Sequence, residues 1–285
     1  MEYIEYQDPK AFLSATQFVL EENEALHGLM FGISLRLVEN PFHYGTQPYL
    51  ATIASRRKLE LIALMTPPYK LQIASLNNKS TQAIDLLASE LHKGDWHVPT
   101  VIAVEEIAKH FESEWNRLTG RQSEYGMRQR IYELRVVEHH DYPSGSFRQA
   151  TMDDLNCAAM WENSFHVECF GSSIAEEPSE VARSMIENGY LYFWEDPLPV
   201  SMAGFTRPTK RGVSISYVYT PPEFRKKGYA SAVVASLSKL ALENGKEFCT
   251  LYTDLSNLIS NNIYQRIGYG VVADVMDVNF TNTEF

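Results

Sequence analysis

Cysteine is scarce in this sequence, which has three cysteines among 285 residues: Cys157, Cys169 and Cys249. Their spacing makes no metal-binding pair, and an odd number cannot pair completely into disulfides. The sequence therefore predicts a reduced, intracellular protein that uses neither a metal nor disulfide chemistry. The adjacent histidines His139 and His140 have no further metal-ligating residue at a useful spacing, so they do not alter this prediction.

The sequence also lacks long hydrophobic runs and has fewer basic than acidic residues. No apolar stretch approaches the ~18 residues of a membrane span, and the acidic start of the chain, Met1–Glu5, lacks the apolar core of a signal peptide. The 25 lysines and arginines are outnumbered by 36 acidic residues, for a net charge of −11. Because nucleic-acid binding needs a basic face, we predict a cytoplasmic protein that binds neither membranes nor nucleic acid. The excess of acid is compatible with an amine-bearing substrate, and also with ordinary surface charge that serves solubility.

A polar segment with several turn-forming residues, Glu138–Gly145, lies near the middle of the chain. The hydrophobic content of 45% supports sizeable cores, and the length suits two domains of ordinary size. We therefore predict a first domain at residues 1–138, a linker at 139–145 and a second domain at 146–285.

Both halves alternate β-like runs with amphipathic segments, which predicts an α/β (α+β) protein whose domains each have a mixed central sheet flanked by helices. A capping box at Thr151–Asp154 opens a helix in the second half, and Pro178 suits the first turn of another, ending near Gly189. The other predicted elements of that half are strands at 146–149, 190–195, 200–206, 213–219, 248–253 and 271–280, and helices at 231–244 and 258–267. In the first half they are helices at 10–24, 29–38, 80–92 and 104–118, and strands at 49–55, 59–65, 71–75, 101–103 and 130–137.

The turn between the strand at 213–219 and the helix at 231–244 carries the clearest chemical signal. Its sequence is Thr220-Pro221-Pro222-Glu223-Phe224-Arg225-Lys226-Lys227-Gly228-Tyr229-Ala230. Gly228 has no Cβ and Ala230 little side chain, so a ligand can approach the backbone closely. The unpaired N–H groups of the first helical turn and the helix dipole favour an anion there. The turn therefore predicts a pyrophosphate cradle, whereas the equivalent turn of the first half, at 76–80, has no glycine and predicts none.

Three motifs make the second half resemble the GNAT superfamily of acetyl-CoA-dependent N-acetyltransferases, over roughly Ser146–Phe280. Arg225–Ala230 fits the Gln/Arg-x-x-Gly-x-Gly/Ala loop of that superfamily, and Ser216–Thr220 occupies the place of its fourth strand. Asn257–Tyr269 is similar to its Asn-x-x-Ala-x-x-x-Tyr-x-x-x-Gly-Phe/Tyr segment, with Ser260 in place of the usual alanine. The whole chain resembles tandem, two-domain members, a layout shared with mycothiol synthases, in which one half often loses cofactor binding.

The resemblance implies that acetyl-CoA is a co-substrate, that no metal takes part, and that Tyr264 is the general acid. A phenol, with a pKa near ~10, is a plausible donor to a departing thiolate with a pKa near ~8.5; packing of an aromatic ring on the core is the alternative. For Asn257, contact with the cofactor and a helix cap are equally open. The implied cofactor-binding residues are Val218, Tyr219, Thr220, Arg225, Lys226, Lys227, Gly228, Tyr229, Ala230 and Asn257.

The sequence identifies the general base and the acceptor less clearly. Glu162, Glu168, Asp254 and the backbone near Tyr217 are all possible routes for the amine proton, and proximity alone can supply much of the rate. The acceptor is expected at the loop 166–177 and the final strands. The acidic and aromatic residues of that region suit a cationic small molecule with an apolar part, but also fit a solvated acidic loop: Phe165, Glu168, Phe170, Glu176 and Glu177.

Three hypotheses follow from the sequence. The first is an N-acetyltransferase that acts on a primary amine of a small molecule or peptide, as a monomer or homodimer. The second is a non-catalytic acyl-CoA-binding or sensor protein that keeps only the cradle. In the third, the first half is an interaction module that docks a partner or closes over the substrate.

Overall fold

The structure of the protein, a computed structural model, describes residues 1–76, 81–138, 141–171 and 178–281. The histidines of the predicted linker, residues 77–80 of the glycine-free turn and residues 172–177 of the predicted acceptor loop lie outside the described residues. The chain divides into two compact units: unit 1 comprises Met1–Ile131, Asp254–Ser256 and Ala273–Phe285, and unit 2 comprises Tyr132–Thr253 and Asn257–Val272.

Unit 1 is built on a mixed sheet with the strand order β1-β2-β3-β4-β5-β12. All neighbouring pairs are antiparallel except β4 and β5, which are parallel. Its elements are β1 (Glu2–Glu5), α1 (Pro9–Glu22), α2 (Glu24–Glu39), β2 (Tyr49–Ser55), β3 (Lys58–Met65), β4 (Leu71–Ser75), α3 (Thr81–Lys93), β5 (Thr100–Val104), α4 (Glu105–Thr119), most of β6 (Gln122–Leu134), and most of β12 (Gly270–Thr281).

Two apolar cores hold unit 1 together, and the strands supply residues to both because successive side chains point to opposite faces. One core contains Phe111 and Trp115 of α4 with Val278 of β12. The other packs Phe12 of α1 and Phe31 of α2 against the sheet.

Unit 2 has the strand order β11-β10-β9-β8-β7, in which only β10 and β11 are parallel. Its elements are β7 (Ser146–Gln149), α5 (Leu155–Phe170), α6 (Pro178–Glu187), β8 (Leu191–Glu195), β9 (Pro199–Thr206), β10 (Gly212–Tyr219), α7 (Tyr229–Glu243), nearly all of β11 (Phe248–Asp254), and α8 (Leu258–Ile267). The predicted capping box is present, because the side chains of Thr151 and Asp154 each bond the other residue's backbone N–H ahead of α5.

Two cores again cover the sheet of unit 2. The core that includes Val233 and Leu237 places α7 against the strands. The other packs Trp161 of α5 and Met185 of α6 against Phe193 of β8. The predicted fold class is therefore confirmed, with a mixed sheet flanked by helices.

The division between the units differs from the predicted one. It falls at Ile131–Tyr132 within β6, ahead of the predicted linker, and it returns Ala273–Phe285 to unit 1. The reason is the last strand, in which Val275–Asn279 pair with β5. Strand pairing between residues so distant along the chain leaves no local pattern in the sequence.

Candidate active site

The middle of β10 is irregular. Its pairing with β9 shifts register between Ser216 and Tyr219, and Tyr217 between them has a left-handed backbone with φ 54°. Such a conformation is uncommon outside glycine and costs free energy. Pairing with β11 ends at Ser214–Thr250, although both strands continue. The ladder between the two strands therefore ends ahead of Ser216–Tyr219, a stretch of the predicted pantetheine strand.

The end of β10 is nevertheless held firmly. The carbonyl of Tyr219 accepts a hydrogen bond from Oγ of Ser201 at 3.1 Å, and the same hydroxyl lies 2.8 Å from Oγ1 of Thr220. Tyr219 is buried and its ring lies 6.0 Å from that of Trp161. These contacts fix Val218–Thr220, the predicted cofactor-binding stretch, on a rigid support.

The predicted cradle has the backbone of an anion-binding turn. After a short 3-10 turn at Pro222–Phe224, Lys226 and Gly228 both adopt left-handed conformations, with φ 64° and 86°, and α7 begins at Tyr229. Within the described residues, no backbone carbonyl accepts the N–H groups of Lys226–Ser231. Successive N–H groups in such a turn form a concave nest for anions, and the helix dipole adds to it.

The backbone of Gly228 is open to close approach. A Cβ placed on Gly228 would have Pro143 as its nearest neighbour, at 3.9 Å, so the space over the turn is open. The side chains of Lys226 and Lys227 are exposed and add positive charge. The cradle therefore suits the pyrophosphate of a coenzyme A thioester.

Two side chains predicted to bind the cofactor have protein partners. The guanidinium of Arg225 contacts the carboxylate of Glu168 and the carbonyl of Thr220. The hydroxyl of Tyr229 donates to Oδ2 of Asp196 at 2.7 Å and its ring is buried. Tyr229 can therefore offer a ligand only its backbone N–H.

Tyr264 is buried in α8, and no hydrogen bond joins its hydroxyl to another residue that the structure describes. Burial raises its pKa well above the ordinary value, with a smaller contribution from the nearby thiol of Cys169. The phenol is thus protonated at neutral pH, and none of the described residues accepts its proton in a hydrogen bond. Its ring lies 6.3 Å from that of Tyr132 and 6.0 Å from that of Tyr269, so packing also accounts for the residue.

Asn257 is the cap of α8. Its Oδ1 accepts the N–H of Ser260 at 3.0 Å, and its own carbonyl accepts Nδ2 of Asn261 at 2.8 Å. The capping alternative is therefore present in the structure, and contact with the cofactor stays a prediction for this exposed residue.

The possible bases differ sharply in their surroundings. Glu168 is tied to Arg225, and Oδ1 of Asp254 accepts the N–H of Ser256 at 2.8 Å within a turn. Glu162 is 2% exposed and bonds His166 on the same helix. His166 was predicted only as the first residue of the acceptor loop and not as a possible base, although its spacing of four residues from Glu162 on a helix is a detectable signal.

Two further properties concern only the residues that the structure describes. No group of three or more histidines, cysteines or acidic residues is arranged to hold a metal ion. None of the described helices combines the length and apolar character needed to cross a membrane.

Residues 158–269 match the family model of the acetyltransferase (GNAT) family. This segment includes β10, the cradle and Tyr264, and it leaves out unit 1 except for Asp254–Ser256. The site therefore lies in a segment that is similar to the GNAT family, whereas the arrangement of two such domains in tandem stays a prediction. No curated protein matches the sequence of the chain.

Solved structures share the fold over the whole chain. A Drosophila protein has a TM-score of 0.70 at 10% identity and 99% coverage of both chains. A GCN5-related N-acetyltransferase from Sphaerobacter thermophilus has a TM-score of 0.62 at 12% identity, over 97% of this chain and 94% of that one. An acetyltransferase of the GNAT family from Colwellia psychrerythraea has a TM-score of 0.59 at 11% identity, over 99% and 100%. At these identities the likeness concerns the fold alone.

Proposed function

We propose that the protein is an N-acetyltransferase that moves an acetyl group from acetyl-CoA to a primary amine of a small molecule or peptide. The observation that carries this proposal is the turn before α7, where Lys226 and Gly228 are left-handed and no backbone carbonyl of the described residues accepts the N–H groups of Lys226–Ser231. The family match over the same residues supports it.

In this proposal, the cradle binds the diphosphate, and the stretch Ser216–Tyr219, which lies beyond the ladder with β11, binds the amide-containing arm as an added strand would. Acetyl-CoA supplies an activated acyl group and a thiolate leaving group. A backbone N–H near Tyr219 polarises the carbonyl that is attacked. The amine attacks directly, and Tyr264 gives its proton to the departing sulfur.

We also propose that unit 1 is a degenerate GNAT-like domain. Its parallel strands β4 and β5 pair only at Leu71–Val101 and Gln72–Ile102, which parallels the early end of the pairing between β10 and β11. The turn after β4 lies in part outside the described residues, and it has no glycine to approach a phosphate. Cofactor binding is therefore assigned to unit 2 alone.

The test begins with calorimetric titration of CoA into the full-length protein, followed by an assay of CoA release. The assay uses acetyl-CoA and a panel of primary amines: phenethylamine, tryptamine, spermidine and a lysyl peptide. We expect micromolar binding of CoA and turnover with at least one amine. Absence of CoA binding would refute the proposal.

A Tyr264→Phe variant separates an enzyme from a sensor. We expect a loss of turnover of about 10²-fold or more, within the usual range for acid–base catalysis, with unchanged affinity for CoA. The matched control is Tyr132→Phe, which removes another buried hydroxyl, bonded to Asn261 and Gln265. That control should lower thermal stability and leave turnover within a few-fold. CoA binding without turnover in the wild type would indicate a sensor.

A further inference from the structure

A histidine and a carboxylate lie on one face of α5, where this helix packs against the bulge of β10. Glu162 and His166 are four residues apart and therefore neighbours on the helix surface. Nδ1 of His166 lies 3.3 Å from Oε1 of Glu162. The side chain of Glu162 is 3% exposed and that of His166 is 25% exposed. The carboxylate is thus enclosed, while the imidazole keeps part of its surface in solvent.

The hydrogen bond between them sets the tautomer of the imidazole. An ionised carboxylate only accepts hydrogen bonds, so the proton belongs to Nδ1 of His166 and the lone pair of the neutral ring lies on Nε2. A buried carboxylate is costly unless it is paired. Glu162 meets this cost by orienting His166, and it would also stabilise the imidazolium after Nε2 has taken a proton.

The imidazole lies beside the side chain of Tyr217 in β10. Its ring centroid is 6.1 Å from that of Tyr217, the left-handed residue of the bulge, with the two planes at 87°. Farther along the same helix, Glu168 contacts Arg225 of the cradle. The end of α5 therefore contacts both β10 and the cradle.

Other titratable and charged groups among the described residues lie near this pair. Tyr217 faces it from β10, and the carboxylate of Glu168 is balanced by Arg225. The helix α6 packs against α5 with apolar residues buried and keeps its charged residues exposed. The buried residues of α6 are Ala182, Met185 and Ile186, and the exposed charged ones are Glu180, Arg183 and Glu187.

We infer that His166 is the general base of the proposed transfer and that Glu162 positions it. This inference rests on the proposed function. The acceptor enters as an ammonium ion, which gives one proton to Nε2 of His166. Its nitrogen then forms a bond to the acyl carbon as the carbon–sulfur bond breaks, and the sulfur takes a proton from Tyr264. The nitrogen then gives its second proton to Tyr264, which restores the phenol. His166 releases the proton that it accepted to solvent. One proton is therefore produced for each acetyl group transferred.

The test uses full-length His166→Gln and His166→Ala proteins, with acetyl-CoA and the best primary amine of the panel. We expect kcat/KM to fall about 10²- to 10³-fold, as for loss of a general base, with the dissociation constant of CoA unchanged within twofold. The acidic limb of the pH profile of kcat/KM should disappear in both variants. Added imidazole should partly restore the activity of His166→Ala.

Glu162→Gln tests the positioning residue, because the amide oxygen can still accept the hydrogen bond but carries no charge. We expect about a 10- to 100-fold loss of kcat/KM, and an acidic limb moved to lower pH, since the imidazolium has lost its counter-charge. The matched control is His110→Gln, which breaks the 2.7 Å pair of His110 with Asp85 in unit 1. This control should keep the wild-type rate and pH profile.

Wild-type rates in His166→Gln, within threefold and with the acidic limb intact, would overturn the inference. In that case, CoA binding by the wild type and lost turnover in Tyr264→Phe would leave the proposed function standing. A wild-type protein that neither binds CoA nor releases it would overturn both. A lower rate in His166→Gln with an unchanged pH profile and no rescue by imidazole would indicate a structural role and also refute the inference.

Discussion

The guanidinium of Arg225 makes a paired contact with the carboxylate of Glu168, in which Nη2 lies 2.7 Å from one oxygen and 2.8 Å from the other. Its Nε donates to the carbonyl of Thr220 at 2.8 Å. The arginine that the sequence predicts as a source of charge for phosphate is therefore balanced by an acid of its own chain. Both side chains are more than one-third exposed, so the pair adds little to stability.

The first prediction concerns this ion pair. Glu168→Gln should tighten CoA binding about two- to fivefold, because the carboxylate no longer competes with phosphate for Arg225. Arg225→Gln should weaken binding, more strongly at low salt than at high salt. Calorimetric titration at two salt concentrations measures both effects. If neither substitution changes the affinity, Arg225 only anchors α5 to the turn.

The second prediction concerns the backbone of the cradle. Gly228→Ala should weaken CoA binding at least tenfold, because the Cβ enters the space over the turn and the left-handed conformation becomes strained. Gly245→Ala is the control: this glycine follows α7, has φ 87°, and has nothing within 4 Å of an added Cβ. Both substitutions should lower the melting temperature by similar amounts. Equal CoA affinity in the two variants would contradict the cradle.

The third prediction concerns stability at acid pH. Burial lowers the pKa of His27 in α2 to about 4, compared with about 6.5 in an unfolded chain. Between these values the unfolded chain binds a proton that the folded protein does not, so the free energy of unfolding falls as the pH falls.

His27→Gln should therefore reduce the loss of stability between pH 7 and pH 5 by about 1–2 kcal/mol. Urea unfolding at the two pH values, followed by a probe in unit 1, measures the difference. His97→Gln, at an exposed position of the same unit, should leave the loss unchanged. The same slope in all three proteins would contradict the assignment to His27.

The fourth prediction concerns the cysteines. Cys249 is buried in β11, and burial raises the pKa of its thiol to about 12. Since the thiolate is the reactive form, iodoacetamide at pH 8 should spare Cys249 in the native protein and modify it in denaturant. Mass spectrometry of the labelled peptides reads this directly. Rapid native labelling of Cys249 would show that its surroundings open easily.

Features with a local cause could be predicted from the sequence. β4, β7 and α8 have the predicted bounds, because alternation of apolar residues or a helix cap marks them. The cradle turn is also local, since a glycine and a helix start lie within a few residues. Predicted and observed strands of unit 2 agree for the same reason.

Features that depend on distant residues could not be predicted. β1 is short and largely exposed, so only its pairing with β2 defines it as a strand. The bulge at Tyr217 arises where β10 pairs with β9. The residue types in β10 do not indicate it. The contact of Arg225 with Glu168 joins residues 57 positions apart, and opposite charges are too common in a sequence to single out this pair.

The early end of the pairing between β10 and β11 has a consequence for how the protein survives in a cell. A bound molecule with its own amides can form hydrogen bonds with β10 beyond the point where this ladder ends. Such binding would stabilise the folded state of the protein. The resistance of unit 2 to heat and proteolysis would then depend on the concentration of this molecule. The abundance of the protein would in this way follow the supply of the metabolite that completes its sheet.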